Sequence, residues 1–154
     1  MEWSTPQEEF WAGEFGDDYS NRNRGPQLLA TNLALFARVF TGRLPPQSIL
    51  ELGANIGMNL RALGLLFPTA DLAAVEINAE AAKELAEVVP ESQLYQESIL
   101  DWEPRNRSWD LVLVKGVLIH LNPESLTRVY EKIARASSRY VLLCEYFNPE
   151  PTEV

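Results

Sequence analysis

Two reactive side chains are almost missing from this 154-residue chain: it has one cysteine, Cys144, and one histidine, His120. A lone cysteine cannot close a disulfide within the chain, and one Cys with one His cannot assemble a zinc site, so any metal would need carboxylates. Positive charge is scarce as well. Lys and Arg number 13 against 22 Asp and Glu, a formal charge of −9, which argues against nucleic acid as a partner because phosphate-backbone binding rests on clustered Lys and Arg. No apolar run approaches the roughly 20 residues needed to cross a bilayer. The acidic start Met1-Glu-Trp-Ser is not a secretory signal. These absences lead us to expect a cytoplasmic protein with no membrane partner and no metal. Internal repeats and low-complexity tracts are also lacking.

What is present is an ordinary globular composition, with 46% hydrophobic and 23% charged residues. A chain of this length suits one domain, able to bury roughly 70% of its unfolded surface. The most informative stretch is Ser48-Ile-Leu-Glu-Leu-Gly-Ala-Asn-Ile-Gly-Met58. An apolar strand passes through an acid into small residues at Gly53, Asn55 and Gly57, then into a helix. Glycine allows a tight turn and close approach of a ligand, and Asn is among the few other residues that tolerate positive φ. A dinucleotide fingerprint G-x-G-x-x-G would want its third small residue at position 58, which is Met. Small residues at first, third and fifth positions, with Glu51 two residues ahead of them, favour S-adenosylmethionine over NAD.

Along the rest of the chain, Trp3, Phe10, Trp11, Phe15 and Tyr19 lie without a clean period among Glu8, Glu9, Glu14, Asp17 and Asp18. Such a segment is a loose tail or a lid, and its aromatics favour a lid, since disordered tails are poor in them. From Pro26 to Phe40, Leu29, Leu33, Phe36 and Phe40 recur at helical spacing, with Gly42 as the stop. Strand and helix signals then alternate. We expect strands at 49–52, 72–77, 94–96, 110–114 and 140–144, and helices at 58–67 and 79–89, the latter capped by Asn78 and closed by Pro90. A further helix opens at Asn122-Pro123-Glu124, with Leu126, Val129, Tyr130 and Ile133 toward the core. Alternating βαβ units imply a parallel, Rossmann-like α/β sheet with helices on both faces, whose ligand sits outside the carboxyl ends of the strands. The expected division is a covering segment over residues 1–24 and a single domain over 25–154.

That rule turns strand ends into site candidates. Glu76, about 20 residues beyond the glycine loop, suits the paired hydroxyls of a ribose; its bland alternative is a solvated loop acid. Glu51 suits the methionine amino group, directly or through water, unless it merely bonds a nearby loop. Ser98 and Ile99 follow the third strand and suit the adenine amine and ring. At the fourth strand end, Gly116 permits close approach, while Lys115 and His120 are the polar exceptions in an apolar run. His120 is the candidate general base and Lys115 a second candidate catalytic or cofactor-facing group. Against those roles stand a hydrogen-bonded structural histidine and a Lys115–Glu145 ion pair.

Five ordered motifs carry a resemblance: Phe10-Trp-Ala-Gly-Glu-Phe-Gly-Asp-Asp-Tyr19 with Arg22-Asn23; Glu51-Leu-Gly-Ala-Asn-Ile-Gly-Met-Asn-Leu60; Val75-Glu-Ile-Asn78; Lys115-Gly-Val-Leu-Ile-His-Leu-Asn-Pro-Glu124; and Glu145-Tyr-Phe-Asn-Pro149. Together they resemble the pseudaminic acid biosynthesis-associated methylases, which belong to the class I S-adenosylmethionine-dependent methyltransferases. The resemblance covers nearly the whole chain. It implies that the Phe10 to Asn23 segment closes over the cofactor and that Arg22 meets the methionine carboxylate. The cofactor would then be held by Tyr19 and Arg22; by Glu51, Gly53, Ala54, Asn55, Gly57, Met58 and Asn59; by Glu76, Ile77 and Asn78; by Ser98 and Ile99; and by Lys115, Gly116 and Val117. Members of the wider fold continue beyond a fifth strand, whereas this sequence stops at Val154. We therefore expect a sheet truncated after about five strands, with a homo-oligomer covering the fifth strand edge. Three functions remain open at this point. One is a methyltransferase acting on a small molecule such as an amino- or amidino-sugar precursor; another is a non-catalytic cofactor-binding subunit; the third is different chemistry on the same cofactor or a nucleotide.

Overall fold

A computed structural model of the chain describes residues 3–146. The N-terminal segment forms two short helices, α1 (Pro6–Ala12) and α2 (Glu14–Arg22), separated by Gly13. A long helix follows, α3 (Pro26–Phe40), which buries Asn32, Phe36 and Phe40. Then come β1 (Ser48–Leu52), α4 (Met58–Leu66), β2 (Asp71–Val75), α5 (Ala79–Leu85), β3 (Leu94–Tyr95), β4 (Trp109–Lys115), α6 (Pro123–Ala136) and β5 (Ser137–Cys144).

The five strands are all parallel, in the order β3-β2-β1-β4-β5. This is the expected Rossmann-like architecture. Period-two alternation divides the apolar residues between two cores. Leu50, Leu52, Val112 and Val114 pack with Trp102, Trp109, Val129 and Ile133 on the α6 side. Ile49, Leu111 and Leu113 pack with Phe36, Leu60, Leu63 and Leu85 on the other. The chain runs outward from β1 through β2 to β3, then crosses to the opposite side of β1 for β4. A crevice therefore opens where β1 and β4 part, at their carboxyl ends. No helix among the described residues is long and apolar enough to cross a membrane.

Element boundaries moved where local chemistry outweighed periodicity. Helix α5 ends at Leu85, not Val89, because Val88 and Val89 are β-branched and Pro90 restricts the residue before it. Strand β2 ends at Val75 rather than at position 77, so Glu76 stands just beyond the sheet. Strand β5 begins at Ser137, three residues before the expected Tyr140, since α6 runs directly into it. Tyr130 was expected in the core and is 45% exposed. Lys132 is buried instead: its ammonium donates to the carbonyls of Ile99, Leu100 and Trp102 at 3.3, 2.6 and 2.8 Å and lies 3.3 Å from Glu103. The ammonium carries three N–H donors for these three carbonyls, where a tyrosine hydroxyl carries one.

Candidate functional site

The loop after β1 is built on three left-handed residues, Gly53, Asn55 and Gly57, with φ of 73°, 50° and 80°. Gly53 also needs its missing Cβ, which would sit 2.5 Å from Val117. The loop is tied to the end of β2 by two bonds, in which Gly53 and Ala54 N–H donate to the Val75 carbonyl at 2.9 and 3.1 Å. Glu76 completes the tie. Its carboxylate accepts from the backbone N–H of Asn55 at 2.6 Å and of Asn78 at 2.8 Å. Burial pushes the Glu76 carboxyl above its ordinary pKa, against the pull of those backbone donors.

A cleft runs along the carboxyl ends of the strands. Its floor includes Gly53, Ala54, Asn55, Met58 and Asn59; Glu76, Ile77 and Asn78; Ser98 and Ile99; and Lys115, Gly116, Val117 and His120. The sequence-based site residues from all four strand ends thus meet in one space, joined by Tyr19 from α2. Three do not reach it. Gly57 lies behind the loop, where a Cβ would sit 2.8 Å from Leu85, so it serves close packing of the turn on α5. Glu51 is fully buried and receives the Asn59 amide at 2.6 Å. Arg22 faces solvent on α2, with its guanidinium 5.7 Å from the Phe15 ring centre. Its exposed place on α2 is set by the helix and not by the motif, and it does not line the cleft.

Glu51 is electrostatically the most unusual group. Burial raises its pKa to about 8, opposed by the Asn59 bond and Lys115 and reinforced by Glu76. Its Oε2, like the Asn59 Oδ1, is buried without a hydrogen-bond partner. Two buried acceptor atoms of this pair are therefore without a donor. The expected alternative for Lys115, an ion pair with Glu145, does not form among the described residues. Glu145 Oε1 instead accepts from the N–H groups of Val117 and Leu118, both at 3.1 Å. It caps the single 3-10 turn Leu118–His120, whose free amides need an acceptor more than a lysine at the cleft needs a partner.

The roof comes from α1 and α2. Trp11 lays its ring 4.7 Å from that of His120 and packs edge-on to Tyr19 at 5.2 Å. Asn78 holds the roof down. Its amide donates to Asp17 Oδ1 at 2.8 Å and to the Trp11 and Gly13 carbonyls at 3.3 and 3.4 Å, while its carbonyl oxygen caps α5 through Ala81 N–H at 2.8 Å. Gly16 must be glycine for this contact, since a Cβ would stand 2.1 Å from the Trp11 carbonyl and 2.8 Å from the Asn78 amide. Burial lowers the His120 pKa, with Glu145 pulling the other way, so the imidazole is neutral near pH 7. Burial also raises the Tyr19 pKa. Cleft residues that sequence reading missed are Gln7, Glu8, Leu28, Asn32, Ile56 and Leu121. Glu8 and Asn32 carried one usable signal, polarity at positions the fold buries to 4% and 2% exposure. Among the described residues no cluster of His, Cys, Asp or Glu could hold a metal ion.

Residues 49–139, more than half of the chain, match the family model of the methyltransferase domain. No curated protein matches the chain. Among solved structures, the plantazolicin methyltransferase BpumL in complex with SAH superposes with a TM-score of 0.65 at 18% identity, over 89% of this chain and 56% of that one. The DhpI-SAM-HEP complex gives 0.69 at 21% identity, over 94% and 66%. The sugar N-methyltransferase KedS8 from Streptoalloteichus sp ATCC 53650 gives 0.69 at 20% identity, over 90% and 56%. The chain thus spans between half and two thirds of the length of these structures, which share its fold. By its sequence match and by the sheet, glycine loop and cleft that follow from it, this chain belongs to the methyltransferase domain family.

Proposed function

We propose that the chain binds S-adenosylmethionine and transfers its methyl group to a small-molecule acceptor. The observation that carries the reading is the glycine loop tied to Glu76. Glu76 accepts backbone N–H bonds from Asn55 and Asn78, and a carboxylate has capacity for about four bonds, so acceptor capacity remains for a ribose hydroxyl. The donor-short Glu51–Asn59 pair suits the ammonium of the methionine end. Ser98 and Ile99, both buried, suit the purine. At Gly116, with φ of 68° and no atom within 4 Å of its missing Cβ, there is room beside the floor for the reacting sulfur and methyl.

S-adenosylmethionine supplies a methyl group already activated on a sulfonium. What the chain must do is align and enclose. Holding acceptor and methyl in attack geometry contributes several kcal/mol, about 7–11 in the best-oriented cases. Trp11 and Tyr19 would close one side against water, and the role of His120 as base is supported by its neutral imidazole in the cleft beside Trp11. Lys115 faces the same space and can orient an anionic acceptor group. The acceptor class we propose is an amino- or amidino-sugar of the pseudaminic acid pathway. It is supported by the motif resemblance and by the fold shared with a sugar N-methyltransferase.

Calorimetry with S-adenosylmethionine and NAD in parallel tests the cofactor, and binding of NAD alone would end the reading. Transfer of labelled methyl groups to a panel of amino- and amidino-sugars tests the chemistry. Binding without transfer to any acceptor would instead make this a cofactor-binding subunit. His120→Ala should lower turnover about 10²–10⁴-fold, far more than any loss of cofactor affinity from the missing Trp11 contact; equal turnover removes His120 as base. We also propose that a second copy pairs along β5, supported by the exposed Val141 and Leu143 on that edge strand. A monomeric mass in analytical ultracentrifugation at working concentration would refute it.

A further inference from the structure

Glu8 is a buried acid on a short surface helix, and only half of its carboxylate has a job there. It occupies the third position of a capping box at the start of α1. Oε2 accepts from Ser4 Oγ at 2.5 Å, Thr5 N–H at 2.9 Å and Thr5 Oγ1 at 3.0 Å. Oε1 is buried and has no partner. A capping box asks for one oxygen reaching back to the N-cap, and nothing in it requires the other to be taken out of water. Yet the side chain is 4% exposed and lines the cleft together with Ser98 and Ile99. An unpaired acceptor in that position is costly unless a donor arrives.

We propose that Glu8 is a specificity-determining residue, whose free carboxylate oxygen accepts the exocyclic amine of an adenine ring lying against Ser98 and Ile99. The assignment rests on the S-adenosylmethionine reading above and extends it to a roof residue. The chemistry is one-sided. Burial would raise the pKa of Glu8, but the hydrogen bonds of Ser4, Ser98 and Thr5 outweigh it and hold the group below the ordinary carboxylate range. The carboxylate is therefore an acceptor only at neutral pH. It matches the 6-amino group of adenine and repels the 6-oxo group of hypoxanthine, which places an acceptor against an acceptor. Ser98 Oγ accepts Leu100 N–H at 3.1 Å, so its proton can meet the Glu8 carboxylate, which still leaves an acceptor position on Oε1 open toward the cleft lining. Glu97, the other acid lining this part of the cleft, is only partly buried.

The test is a binding ratio measured on the full chain by calorimetry, using S-adenosylhomocysteine and S-inosylhomocysteine with the parent, Glu8→Gln and Glu97→Gln. Glutamine is itself a capping-box residue, so Glu8→Gln keeps the helix start while offering an NH₂ toward the cleft. The parent should prefer the adenosyl ligand about 100-fold or more, as buried polar groups reject a mismatched analogue. Glu8→Gln should bring that ratio to about one or invert it, while Glu97→Gln keeps most of it. A loosened roof would weaken both ligands together and leave the ratio alone. An unchanged ratio in Glu8→Gln, or a ratio lost only in Glu97→Gln, overturns the assignment while the cofactor reading stands. Failure of the parent to bind S-adenosylhomocysteine overturns the cofactor reading, and this assignment with it.

Discussion

The floor and the roof of the cleft are held by different physics. The floor hangs from β1 and β4, where Ile49, Leu50, Leu111 and Val112 are wholly buried between two helical layers. The roof rests on the Asn78 amide, on the Trp11 ring over His120 and on the Arg24–Glu84 pair at 2.9 Å. That ion pair is largely exposed and contributes little. Phe10 and Phe15 stack on one another at 4.1 Å with 50% and 37% of their surface still exposed. Few buried apolar contacts mean a low free energy of local opening. The contrast leads us to expect that stability and closure of the cleft are separable in this domain: damage to the floor should unfold the chain, whereas damage to the roof should open the cleft.

The sharpest way to break that contrast is to cut the floor and look for a mild effect. Leu111→Ala should cost about 2–5 kcal/mol in urea unfolding; a loss as small as that of a roof variant would mean the sheet is not the stable half. Next in size is the clamp behind the cleft residues Ser98 and Ile99. Lys132→Met leaves the carbonyls of Ile99, Leu100 and Trp102 without their donor, so unfolding free energy should fall by about 1–3 kcal/mol. A stabilised variant would show that desolvating the lysine outweighs its bonds.

The roof supplies the complementary case. Gly16→Ala must push Trp11 and Asn78 apart, and we expect about tenfold weaker S-adenosylmethionine binding, equivalent to about 1.4 kcal/mol, with a nearly unchanged unfolding midpoint. Parallel losses in both measurements would erase the distinction. The smallest effect concerns Glu51, which is buried on β1 beneath the floor residue Asn59. Its folded pKa is about 8 against an ordinary value of 4.5. The native state therefore holds a proton that the unfolded chain releases, and stability contributed by this group falls as pH rises from 4.5 toward 8. A cationic ligand favours the ionised form, so S-adenosylmethionine binding should release up to one proton near pH 7 and tighten as pH rises. Calorimetry in buffers of different ionisation enthalpy reads this directly, and Glu51→Gln should abolish it. Identical proton release by parent and variant would place the titration elsewhere.

Sequence reading went furthest where a local rule was enough. Gly53, Asn55 and Gly57 announce a left-handed loop because few residues tolerate positive φ, and all three adopt it. Asn78 and Asn122 announce caps, and both accept the predicted backbone N–H bonds. It failed where a side chain's fate depends on a distant element. Arg22, which the motif resemblance brings to the cofactor, is exposed on α2 and does not line the cleft. Lys132 carried no sequence signal of its burial, because the carbonyls it meets lie 30 to 33 residues away in the chain. Glu145 looked like a partner for Lys115 and was claimed by two amides of the turn before α6.

What the residues determined by themselves is the parallel sheet and its glycine loop, since hydrophobic period, turn chemistry and capping act over a few positions. What only the tertiary structure decided is which polar atoms are buried and which of those go unpaired, at Glu8, Glu51 and Asn59. Burial is a property of the packed whole: an atom loses water only when elements remote in the chain close around it, and no stretch of residues records that closure.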